Sequence, residues 1–148
     1  MAIVDMLTPE VIKVPLVSRN KDEVLKELVE ILAKAGKISN LERALDAIKK
    51  REDMGSTGLE EGIAVPHAKT DTVDKLTMAI GISPEGVEFD ALDGKPSHIF
   101  FLMLAPPDQS GPHIQALAEI ARMARSKAFI NALKNAKSSE EVLNLFKE

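Results

Sequence analysis

The run Ile99-Phe100-Phe101-Leu102-Met103-Leu104 is apolar at every position. Successive side chains of a strand point to opposite faces, so a strand built from this run needs apolar cover on both of them. The run is far too short to span a membrane, and it predicts a central strand of a sheet with helices on each side. The core must be mainly aliphatic, because the chain has no Trp, no Tyr and five Phe. A single domain is expected over residues 1–148, and a domain of this size buries roughly 70% of the surface its unfolded chain exposes.

The remaining segments supply the layers. From Asn20 to Gly36, the residues Val24, Leu25, Leu28, Val29 and Leu32 recur at helical spacing, with Asn20 as the cap and Gly36 as the stop. Ser39 and Glu42 have capping-box spacing ahead of a second stripe, Leu41, Ala44, Leu45 and Ile48, which should end near Lys50 or Arg51. Residues 11–17 read as a first strand, at a sheet edge because Pro15 cannot donate to a ladder. Strands are also predicted around 63–65, 76–82 and 97–104, with turns at Ser83-Pro84-Glu85-Gly86 and Asp93-Gly94-Lys95-Pro96. Residues 105–112 read as a loop, and His113 opens a helix carrying Ile114, Leu117, Ala118 and Ala121. Two more helices follow, one begun by Ser126 and one by Ser138 with Glu141 at capping-box spacing. Helices, then strands, then helices describe a three-layer α/β domain, a mixed β-sheet flanked by helices on both faces.

A formal net charge of -4 and 3% aromatic residues argue against a nucleic-acid footprint. Proteins or small molecules are the expected partners. With no cysteine there is no disulfide frame, thiolate metal site or thiol nucleophile. No basic leader precedes an apolar run at the N-terminus, and a cytoplasmic protein is expected.

Chemistry concentrates between Arg51 and Ala68. Three glycines, Gly55, Gly58 and Gly62, and a short apolar run lead to Pro66, which presents His67. Neutral imidazole is a nucleophile near physiological pH, and its other nitrogen can be held by a hydrogen bond. Pro66 fixes one dihedral and biases Val65 toward extended geometry, so His67 is delivered from a strand end. That arrangement suits phosphoryl transfer, where the protein mostly positions reactants and stabilises charge on oxygen. Arg51 offers a fork matched to phosphate, Ser56 and Thr57 offer hydroxyls, and His113 lies at a helix start where amides face an anion. Each residue also has a simpler account: Arg51 as the complement of a helix C-terminus, the glycines as tight turns, His67 as a turn histidine, and His113 as a helix-start residue. No Gly-Lys-Ser/Thr follows the glycines, so they do not form a phosphate-binding P-loop. His98, beside the apolar strand, is read as structural or as a surface residue, and Glu60-Glu61 as solvating a strand end. No pair among the three histidines has the spacing of a helical zinc motif.

Met54-Gly55-Ser56-Thr57-Gly58, followed by Gly62-Ile63-Ala64-Val65-Pro66-His67-Ala68, resembles the active-site signature of Enzyme IIA of the fructose/mannitol class, from the bacterial phosphoenolpyruvate-dependent sugar phosphotransferase system. Phe89 to Pro96 and His113 to Ala118 extend the resemblance over most of the chain. It implies a phosphotransferase/anion-transport-protein-like fold and a phosphohistidine intermediate on His67. Phosphate would come from the histidine-containing phosphocarrier protein and pass to a cysteine of Enzyme IIB, with no metal or organic cofactor. It also implies supporting roles for Arg51 and His113 in the same site, and for Thr57 as a pocket residue. The family usually carries Gly or Ala where this chain has Glu60, whose carboxylate is expected to point to solvent.

Lacking cysteine and any membrane-length segment, the chain is expected to act as a shuttle between separate proteins or as one domain of a longer one. Ala68, the Lys69-Thr70-Asp71 continuation and the Asp93 to Pro96 turn resemble fructose-type members. The alternatives are a nitrogen-regulatory-type Enzyme IIA that controls partners through its phosphorylation state, and a binding module whose His67 is never phosphorylated.

Overall fold

The computed structural model of the chain describes residues 3–147. Two short 3₁₀ turns, Ile3–Met6 and Pro9–Val11, lead into strand β1, Ile12–Lys13. Helices α1, Lys21–Lys34, and α2, Leu41–Asp53, follow. The strands β2, Ile63–Ala64, β3, His67–Lys69, β4, Thr77–Val87, and β5, Ser97–Ala105, complete the sheet. Helices α3, Ser110–Met123, α4, Lys127–Lys134, and α5, Ser139–Lys147, close the chain.

The sheet is mixed, in the order β1-β4-β5-β2, with β3 also paired to β5. β4 and β5 are antiparallel, while β1 runs parallel to β4, and β2 and β3 run parallel to β5. β5 is therefore central, and every residue from Ile99 to Ala105 is at most 1% exposed. Phe100 and Phe101 point to opposite faces and show what covers each. Phe100 meets the ring of Phe89 at 5.4 Å, on the side where Lys21 at the start of α1 lies over Phe89. Phe101 meets Phe146 of α5 at 6.2 Å, and Phe146 in turn meets Phe129 of α4 at 5.4 Å. Fully burying a side chain of this kind stabilises by roughly 1.5–3 kcal/mol.

The α1 boundaries follow from backbone satisfaction. Asn20 accepts from Glu23 N at 2.9 Å, and the five predicted apolar positions are all buried. At the other end Gly36 adopts φ +73, letting its own N–H reach Ala33 O and that of Lys37 reach Leu32 O. This is a Schellman stop, which needs the left-handed residue that glycine supplies most cheaply.

Several expected boundaries shift. α2 is capped by Asn40, which accepts from Arg43 N at 3.0 Å, while the Ser39 backbone and hydroxyl are both turned to Thr72 O. The helix also runs on to Asp53. The first strand is an edge strand as expected but stops at Lys13, although Leu16 N still reaches Ile82 O beyond Pro15. Ser83 to Gly86 is no hairpin turn: β4 continues through it, with a register irregularity between Ile82 and Val87. His98 bonds Ser83 O at 2.9 Å through Nδ1 and so fastens this irregularity, the structural one of the two roles expected of it.

Candidate active site

β3 is the element that carries His67. It pairs with the central strand in the register His67 to Met103, Ala68 to Leu104 and Lys69 to Ala105. Its ends are tied by Met103 N to Pro66 O at 2.9 Å and Thr70 N to Ala105 O at 2.8 Å. The imidazole Nδ1 lies 2.7 Å from Val65 O. A carbonyl only accepts, so Nδ1 carries the proton and Nε2 keeps the lone pair.

Two further predicted residues converge on it. The His113 ring stands edge-on to that of His67, with 4.8 Å between centroids and an interplanar angle of 69°. α3 begins at Ser110, so His113 lies at the end of its first turn and does not open the helix as expected. It is buried, and its Nε2 has no hydrogen-bond partner among the described residues. Burial, then the proximity of His67 and Lys69, holds its pKa below the usual imidazole value. Arg51, in the last turn of α2, donates from Nη1 to Gly55 O at 2.9 Å.

Arg51, His67 and His113 line one open pocket of about 500 Å³, together with Ala47, Lys50, Met54, Ala68 and Lys69. Three cationic side chains thus surround the paired imidazoles, and such a surface suits an anion. Lys69 was noted in the sequence only within the Lys69-Thr70-Asp71 continuation and not as a site residue, although it follows His67 at strand spacing; it donates to Ser110 Oγ at 2.9 Å. A second hollow of about 500 Å³, between β1 and α1, has no histidine. Its buried carboxylate, Glu27, is pushed up by burial, but bonds from Lys13, Ser18 and the Val17 and Ser18 amides outweigh this and hold its pKa below the usual value.

Thr57 is not brought to this pocket. It is buried, and its amide and hydroxyl both donate to the Glu52 carboxylate, the amide at 3.0 Å. The Ser56 hydroxyl is likewise turned away, donating to Phe89 O at 2.6 Å. Glu60 and Glu61 are exposed, so the carboxylate of Glu60 faces solvent as expected.

Residues 5–148 match the family model described as phosphoenolpyruvate-dependent sugar phosphotransferase system, EIIA 2. The chain belongs to this type-2 EIIA family. It is 34% identical to the fructose-specific EIIA component of Haloferax volcanii, over 98% of this chain and 95% of that protein. It is also 34% identical to the fructose-specific EIIABC component of Bacillus subtilis, over 100% of this chain but only 23% of that longer protein. Among solved structures, nitrogen regulatory protein IIA-Ntr from Neisseria meningitidis matches with a TM-score of 0.88 at 30% identity, covering 97% of this chain and 98% of that one. Enzyme IIAMtl of Escherichia coli, solved in complex with phosphorylated enzyme IIBMtl, matches with a TM-score of 0.81 at 28% identity, covering 95% and 96%. Members of the family mediate phosphoryl transfer. Among the described residues no helix is long and apolar enough to cross a membrane.

Proposed function

We propose that His67 is the phosphoryl acceptor of a cytoplasmic carrier supporting fructose-type sugar uptake. The observation that carries this reading is the bond from His67 Nδ1 to Val65 O, which leaves Nε2 as the nucleophile beside Arg51 and His113. Nε2 attacks phosphorus on the phosphohistidine of the histidine-containing phosphocarrier protein. The donor's N–P bond breaks as a new one forms on His67, whose Nδ1 keeps its proton on Val65 O. A cysteine thiolate of Enzyme IIB then attacks the same phosphorus, forming an S–P bond and releasing the imidazole. Arg51 and His113 stabilise charge on the transferring oxygens. The chain supplies no metal or cofactor in this scheme, because the N–P bond itself stores the transfer potential. The 34% identity to fructose-specific EIIA supports the sugar-transport assignment.

The protein, supplied with the phosphocarrier relay, should take up one acid-labile phosphate, and His67→Ala should take up none. Labelling that survives the substitution would sink the assignment. The likeness to IIA-Ntr supports a second reading, regulation through phosphorylation-dependent binding. Phosphorylated protein offered to candidate IIB domains separates the two: rapid labelling of a IIB cysteine supports transport, and none, with phosphorylation-dependent binding to a regulator, supports control.

A further inference from the structure

Glu52 follows Arg51 in the last turn of α2, inside the charged run Lys49 to Asp53, yet it points inward with its side chain 4% exposed. A carboxylate so buried needs partners for its charge and its lone pairs. Lys21 Nζ lies 2.9 Å away, and Thr57 donates both its amide and its hydroxyl. Lys21 is itself largely withdrawn from water, with its ammonium 4.7 Å from the centroid of the Phe89 ring. Buried ion pairs of this kind are weak sources of net stability, because desolvation offsets much of the attraction. Their geometric demands are strict, however, and here they fall on one residue.

That residue leads to the imidazole. Thr57 O accepts from Val65 N at 3.0 Å, and Val65 O accepts from His67 Nδ1 at 2.7 Å. A continuous series of contacts therefore runs from Lys21 through Glu52, Thr57 and Val65 to His67. We propose that the Lys21–Glu52 pair positions the acceptor: by fixing Thr57 it fixes the Val65 carbonyl, and through it the tautomer of His67. Neither residue lines the pocket, and both act through Thr57. The kinetic consequence rests on the phosphoryl-transfer reading of His67, whereas the tautomeric consequence does not.

The test combines two measurements on the full chain: imidazole ¹⁵N spectra, which report the tautomer, and phosphorylation kinetics with the phosphocarrier. The wild-type protein should show a single Nδ1–H tautomer at His67. Glu52→Ala should give a tautomer mixture and lower kcat by on the order of ten- to a hundredfold, with KM for the phosphocarrier unchanged. Glu52→Gln, which restores an acceptor oxygen for Thr57 N, should return both readings toward wild type. Thr57→Val, which removes only the hydroxyl contact, should move both in the same direction as Glu52→Ala, and it replaces that variant if Glu52→Ala does not fold. A folded Glu52→Ala or Thr57→Val protein that keeps a single Nδ1–H tautomer overturns the proposal whatever its rate, and so does a mixture with wild-type kcat in either of them. A merely structural pair would lower the melting temperature and leave both readings alone. If wild-type protein takes up no phosphate, the transfer reading fails and the tautomer alone decides the positioning role.

Discussion

His113 presents the edge of its ring to His67, 4.8 Å between centroids, from a helix that shares no backbone pairing with β3. Two imidazoles so close disfavour a second positive charge, and burial acts in the same direction on His113. If His67 accepts phosphate as proposed, a neutral His113 beside it can donate to a phosphoryl oxygen without first giving up a counterion. His113→Ala should therefore slow phosphorylation by on the order of 10²-fold, the usual effect of removing one charge-stabilising donor. Rapid-quench measurement of single-turnover transfer decides it, and a loss under about twofold would make His113 a space-filling residue.

Stability should respond to pH in two places. Above about 6.5, folded and unfolded His113 are both neutral and contribute nothing. As pH falls below that value the unfolded chain binds a proton that the folded state resists, so stability declines until the lowered folded pKa is reached. Glu27 has its full stabilising effect above its ordinary value of 4.5 and loses it as pH drops toward its lowered folded pKa. Denaturant midpoints from pH 8 to 4 should show both declines, with His113→Gln removing the first and Glu27→Gln the second. A midpoint unchanged between pH 7 and 5 contradicts the burial of a neutral His113.

Arg51→Ala should separate function from fold. Its guanidinium bonds one carbonyl past the end of α2, so stability should fall by only about 0.3–1 kcal/mol. Transfer should fall by on the order of 10²-fold. Equal transfer kinetics in the two proteins would leave Arg51 as a helix-end residue alone.

Gly58→Ala should be costly for a different reason. A Cβ there would stand 2.9 Å from Ala91 Cα and 3.0 Å from Phe89 O, both backbone atoms that cannot swing aside. Destabilisation of about 1–3 kcal/mol is expected by thermal or chemical denaturation. An unchanged melting temperature would mean that the 55–65 loop tolerates displacement.

The central strand and both helical layers were legible because Ile99 to Leu104 has no polar face and the α1 stripe has a strict period. Asn20, Ser126 and Ser138 cap as expected, since a side-chain oxygen three residues ahead of the amide that donates to it is a purely local relation. β3 was missed: a three-residue strand exists only through its pairing with β5, and Pro66 made the segment read as a strand end. The convergence of Arg51, His67 and His113 came from family resemblance, as no local rule connects residues brought together by the sheet. Thr57 was placed in the pocket by the family resemblance, with its hydroxyl as a candidate donor, but Glu52 takes that hydroxyl. Nothing in the run Lys49 to Asp53 distinguishes an inward carboxylate from a solvated one.

β2 and β3 lean on the same strand, each for only two or three residues, and β5 lies at the middle of the core. β3 thus has little independent stability, yet detaching it would expose backbone groups of the strand on which the whole domain depends. Local opening at His67 and global unfolding should then be closely linked events. On heating, phosphorylation competence should vanish in the same cooperative transition as the fold, with no temperature range in which an intact but inactive protein accumulates.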